Sequence, residues 1–197
     1  MLLLQVWISL GLYGDLLGAL SGVSQYFTVL TNLLVLVSMG AVGLGRMAPG
    51  KAAWAVVVAI AGVGVVYHAV LAQLWQPQGM AWLADQGLHT IVPVLTVAWW
   101  LVFAPRRAAG WRDLPLAVIW PLTYCIYALA RAEFSGFYPY PFIDLPVLGW
   151  GGLLRSVAIL VGLFIVLAGL LVGGKSLTGR FARSRRRSGR FAHRKAR

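Results

Sequence analysis

Thr28, Thr31 and Asn32 stand at i, i+3 and i+4 in an apolar stretch, so a helix places all three on one face. Asp85 and His89 are again i and i+4, which brings a carboxylate within reach of an imidazole. Pro93, four residues on, lacks the amide that would bond the His89 carbonyl, so the helix is free to bend there. A hydroxyl, an imidazole and a carboxylate are the parts of an activated nucleophile: one attacks, one takes its proton, and one orients the base. His68, Arg131 and the aromatic loop Tyr138–Phe142, which holds Tyr140, add polar and ring-bearing groups near the ends of apolar runs. Each has a plainer role too. Thr and Asn in membrane helices commonly bond a neighbouring helix, a lone His near an interface is commonly structural, and Trp and Tyr at span ends form an interfacial belt.

The elements that must carry these residues are apolar helices. Of the 197 residues, 60% are hydrophobic and 11% charged, about half the charged fraction of a soluble domain. That excludes a soluble globular protein and a disordered chain, and the single Cys125 excludes an internal disulfide. Five runs have roughly the length needed to cross a bilayer: Gln25–Gly43, Ala52–Trp75, Gly87–Ala104, Leu114–Arg131 and Leu153–Gly173. A sixth, Met1 to about Leu20, reads as a first transmembrane helix rather than a signal peptide, since it lacks a basic leading region. The start of that helix is short, as if the chain began too late.

The net charge of +12 is concentrated at one end: ten of the 17 basic residues fall in the last 23 positions. The body holds seven basic residues against five acids. Arg46, Lys51, Arg106, Arg107 and Arg112 mark two loops as cytoplasmic, whereas the loop Gln76–Gln86 has no Lys or Arg. The expected architecture is therefore an all-α polytopic transmembrane bundle of about six helices over 1–174, with both termini cytoplasmic. A basic, disordered cytoplasmic tail follows over 175–197, held near anionic lipid headgroups. In that topology Thr28, Asn32, His68, Asp85, His89, Arg131 and Tyr140 all fall in the outer half. No nucleic-acid partner is expected. The sequence has no zinc-ligand cluster, P-loop, G-x-S-x-G or dinucleotide fingerprint, so no metal or cofactor is expected.

Three segments carry a resemblance. They are Gln25-Tyr26-Phe27-Thr28-Val29-Leu30-Thr31-Asn32, then Gly87-Leu88-His89-Thr90 with Pro93 behind it, then Gly136-Phe137-Tyr138-Pro139-Tyr140-Pro141-Phe142-Ile143-Asp144. In that order, on that helical frame, they resemble the androgen-induced-gene family of integral membrane proteins. The likeness covers about residues 1–172 as a helical pattern and implies a bacterial-type relative, placed in the plasma membrane. The family's animal members are threonine hydrolases of fatty acid esters of hydroxy fatty acids. The resemblance puts their nucleophile on Thr28 and their essential His on His89. It also differs in place: as aligned, the family motif is acidic where this chain has Thr31.

The function so implied is hydrolysis of a lipid ester through an acyl-threonine. His89 is the base, Asp85 a candidate orienter, and Asn32, Tyr140 and Arg131 candidate oxyanion donors; His68 and Thr31 are supporting candidates. The alternatives are a non-enzymatic membrane protein that binds lipid or a partner and, behind it, a small transporter. A transporter would show repeats or midplane charge pairs, and this sequence has neither.

Overall fold

The computed structural model describes residues 1–105 and 108–195, with side chains through Lys175. Among them there is no strand. The helices are α1 (Leu2–Tyr13), α2 (Leu16–Val23), α3 (Phe27–Gly43), α4 (Lys51–Val66), α5 (Gly79–Gln86), α6 (Val92–Phe103), α7 (Leu116–Ser135) and α8 (Leu145–Lys195). A π turn, Tyr67–Leu71, extends α4, and a second, Gly87–Ile91, joins α5 to α6. Among the described residues, four stretches are long and apolar enough to cross a membrane: Lys51–Leu71, Gly79–Phe103, Trp111–Ser135 and Leu145–Lys175. They make the chain an all-α bundle compatible with an integral membrane protein.

The opening run folds differently from the expected single helix. α1 and α2 meet at a bend of 119°. Gly14 ends α1 in the left-handed region at φ 78°, which glycine takes without steric cost. Asp15 then caps α2, accepting from the Gly18 amide at 2.7 Å. A carboxylate inside an apolar run is better used as a cap than held in hydrocarbon.

The core gathers on α4. Trp54, Val57 and Val58 are fully buried against Trp100 of α6 and Ala117 of α7, with Phe164 and Ala168 of α8 completing the cluster. Lys51 pairs with Asp113 at 2.7 Å, which brings the loop after α3 and the turn before α7 to one end of the bundle. Lys175 departs from its expected place in the tail: it is buried at 6% exposure, and its Nζ donates to the Trp100 and Leu101 carbonyls at 2.8 Å each. The Trp100 carbonyl also accepts from the Ala104 amide at 3.2 Å, whereas that of Leu101 faces Pro105, which has no amide, so a cation at the end of α6 serves it well. Arg106, Arg107 and the tail side chains from residue 176, which carry much of the expected loop and tail charge, lie outside the described residues.

Candidate active site

Thr28 sits in the first turn of α3 and His89 in the π turn between α5 and α6, 61 residues apart in sequence. The Thr28 Oγ1 lies 3.1 Å from His89 Nε2. The other ring nitrogen, Nδ1, lies 3.1 Å from the Asp85 carboxylate Oδ1 and 3.1 Å from the Asp85 backbone carbonyl. Both neighbours of Nδ1 are acceptors, so Nδ1 carries the proton and Nε2 is the acceptor. The Thr28 hydroxyl therefore donates to His89. Both Thr28 and Asp85 are buried, at 7% and 6% exposure.

The π turn explains how His89 reaches this place. The Val92 amide bonds the Gly87 carbonyl five residues back rather than that of Leu88. The next amide along would be at Pro93, which has none. The Leu88 carbonyl is thus left without a helical partner, and Asn32 supplies one: its Nδ2 donates to Leu88 O at 3.2 Å and to Thr28 O at 2.9 Å. Both amide hydrogens are engaged, so Asn32 clamps α3 to the turn that leads into α6 and has no free donor left. Gly64 of α4 allows the close approach on the opposite side. A Cβ there would lie 3.2 Å from Pro93 Cβ and 3.3 Å from the His89 carbonyl.

Thr31 points elsewhere. It is fully buried and accepts from Trp120 Nε1 at 2.9 Å, tying α3 to α7. His68 faces the second π turn from the first: its Nε2 lies 3.0 Å from Thr90 Oγ1, which donates to Gln86 Oε1 at 3.0 Å. Arg131 is held by Ser21, donating to its carbonyl at 2.9 Å and its hydroxyl at 2.8 Å. Together with Tyr124 and Tyr127, which donate to the Gln25 and Ser24 carbonyls, it fixes the segment that leads into α3. Among the described residues, Arg131, His68 and Thr31 each bond a partner other than the Thr28–His89 pair.

Tyr140 does join the site. Its hydroxyl lies close enough to the Thr28 hydroxyl and to the Thr28 and Phe27 amides for them to favour its ionised form, and Tyr140 and Thr28 line the same cleft. Those amides open α3, where no carbonyl lies one turn back to receive them. Burial pushes the Tyr140 phenol up to about 12, against the pull of these neighbouring donors. The ring is fixed by stacking on Phe142 at 5.1 Å and edge-on contact with Tyr26 at 6.3 Å.

Thr28 and Tyr140 lie on the wall of a cleft whose empty volume, open mouth included, is about 670 Å³. The rest of the wall is almost wholly apolar, with Val63 and Val66 of α4, Leu122 and Cys125 of α7, and Leu160 and Phe164 of α8 among its residues. Tyr67 is the one group at the site that the residue pattern did not point to: it donates to Asp85 Oδ2 at 2.5 Å and stacks on His89 at 3.9 Å. Comparison with family models, curated proteins and solved structures returned no match.

Proposed function

We propose that the protein is a membrane-embedded hydrolase of lipid esters, with Thr28 as nucleophile, His89 as base and Asp85 as the group that orients it. The observation that carries this reading is the 3.1 Å contact between Thr28 Oγ1 and His89 Nε2, backed by Asp85, at the wall of an apolar cleft. A threonine that only tied helices together would have no need of a histidine held in the accepting tautomer by a buried carboxylate.

His89 Nε2 takes the Thr28 proton as Oγ1 attacks the ester carbonyl. The oxyanion forms near the α3 N-terminus, where the Tyr140 hydroxyl beside Thr28 is the candidate donor. The tetrahedral intermediate collapses to an acyl-threonine, and the alcohol departs with the proton from His89. Water then gives a proton to His89 and attacks the acyl carbon, releasing the carboxylic acid and restoring Thr28. Asp85 stabilises the imidazolium in both halves. The apolar cleft suits the hydrocarbon chain of such an ester.

The resemblance to the androgen-induced-gene family supports the same assignment of Thr28 and His89, with an ester of a hydroxy fatty acid as the substrate class. The charge pattern supports six spans, cytoplasmic termini and a site near the outer face of a bacterial plasma membrane. It also supports a basic tail at anionic headgroups. The test is labelling by a fluorophosphonate activity probe in native membranes. Wild type is expected to label, whereas Thr28→Ala and His89→Ala are expected to stay unlabelled at equal expression. Should wild type fail to label, the Thr28–His89 pair is an interhelical contact in a lipid-binding membrane protein.

A further inference from the structure

We propose that Tyr67 is a positioning residue that holds His89 toward Thr28, a role that rests on the hydrolytic reading above. Histidine is broad about its second side-chain torsion, so an imidazole aimed at a nucleophile must be held from outside. Three contacts do this for His89. Thr28 meets one edge at Nε2 and Asp85 meets the other at Nδ1, each at 3.1 Å. The Tyr67 ring covers a face, with centroids 3.9 Å apart and planes inclined by 16°. Rotation of the imidazole out of line would have to displace that ring, which is itself buried at 5% exposure.

The same side chain also fixes the carboxylate. Asp85 offers Oδ1 to His89, and Tyr67 holds Oδ2 through a 2.5 Å hydrogen bond. The other donor to Oδ2 is Gln86 Nε2, at 3.4 Å. Without the Tyr67 hydroxyl the carboxylate keeps only the longer Gln86 contact at Oδ2, and the half of the Nδ1 edge that it supplies beside the Asp85 carbonyl shifts with it. The backbone is arranged to deliver this residue. The Ala72 amide bonds the Tyr67 carbonyl five residues back, forming the wide turn from which Tyr67 reaches Asp85 and His68 reaches Thr90. Two π turns thus face each other, one carrying the base and the other the residue that aims it; such turns are frequent at functional sites.

A residue that only satisfied a buried carboxylate would affect folding and leave His89 unmoved. The experiment compares wild type with Tyr67→Phe, which keeps the ring and loses the hydroxyl, and with Tyr67→Leu, which loses both. One readout is the fluorophosphonate labelling rate against probe concentration. The other is the NMR signal of the His89 Nδ1–H in lipid nanodiscs, assigned by its loss in His89→Gln. Tyr67→Phe is expected to slow the saturating rate about 10-fold or more, the scale of one hydrogen bond to a charged group. Its half-saturating probe concentration should stay unchanged and the Nδ1–H signal should move. Tyr67→Leu should be slower still. Tyr67→Phe labelling at the wild-type rate with an unmoved signal overturns the proposal. If wild type itself does not label, the hydrolytic reading falls and the signal decides alone: unmoved in Tyr67→Phe, it overturns the positioning role too.

Discussion

Replacing Asn32 with Leu keeps the side chain's approximate volume and removes two hydrogen bonds, to the Thr28 and Leu88 carbonyls. The two losses differ. The Thr28 carbonyl lies inside α3, where the Asn32 backbone amide, four residues on, remains available to it. Leu88 O has no such reserve, because Val92 bonds Gly87 and Pro93 has no amide. An average interhelical hydrogen bond in a membrane protein contributes about 0.6 kcal/mol, while an orphaned buried acceptor costs about 1–3 kcal/mol. The variant must either carry that orphan or close the π turn into an α-helix. Closing it would rotate the residues before the turn by about 100° relative to those after it, taking His89 out of line with Thr28. Asn32→Leu is therefore expected to lose about 1–3 kcal/mol in equilibrium unfolding from mild detergent and to label more slowly with the fluorophosphonate probe. Stability within about 0.5 kcal/mol of wild type, together with an unchanged labelling rate, would refute the clamp.

Thr31→Ala leaves the Trp120 indole N–H without its acceptor, so it should lower stability by about 1–3 kcal/mol yet retain probe labelling; the same unfolding and labelling measurements check both parts. Tyr140→Phe removes an oxyanion donor and should cut ester turnover by roughly 10²-fold with folding intact, which steady-state kinetics in detergent would read. Burial raises the Tyr140 phenol from the ordinary tyrosine range, about 10, to about 12, so it stays protonated through the neutral and mildly alkaline range. The stability it gives is complete below pH 10 and lost as pH rises to about 12. An unfolding titration across that window should therefore decline more steeply for wild type than for Tyr140→Phe.

Much of the site could be read from residue spacing. Thr28 and Asn32 share a helix face, Asp85 and His89 are one turn apart, and Pro93 marks the place where the helix departs from regular bonding. What spacing cannot show is which face meets which. Spacing leaves Asn32, Arg131 and Tyr140 equal as oxyanion donors; their surroundings separate them, since both Asn32 amide hydrogens go to the Leu88 and Thr28 carbonyls, Arg131 bonds Ser21, and Tyr140 lies beside the Thr28 hydroxyl. Tyr67 left no trace because hydropathy treats a Tyr in an apolar run as one more ring, and a π turn inserts its extra residue without a composition signal. The bend at Gly14–Asp15 was hidden by the apolar residues on either side, although the glycine and the carboxylate are its physical causes. Lys175 misled by charge. A lysine beside a basic tail reads as solvated, but its long stem carries the ammonium to carbonyls at the end of α6.

The measurement that bears most directly on Thr28 as nucleophile is peptide mapping of the fluorophosphonate adduct formed by wild-type protein in membranes. The adduct is expected on Thr28, and it should vanish in both Thr28→Ala and His89→Ala, with the double variant no worse than either, since members of one catalytic unit are not additive. An adduct on Thr31, or one that persists on another residue when His89 is removed, would contradict the assignment of Thr28 and His89 as nucleophile and base.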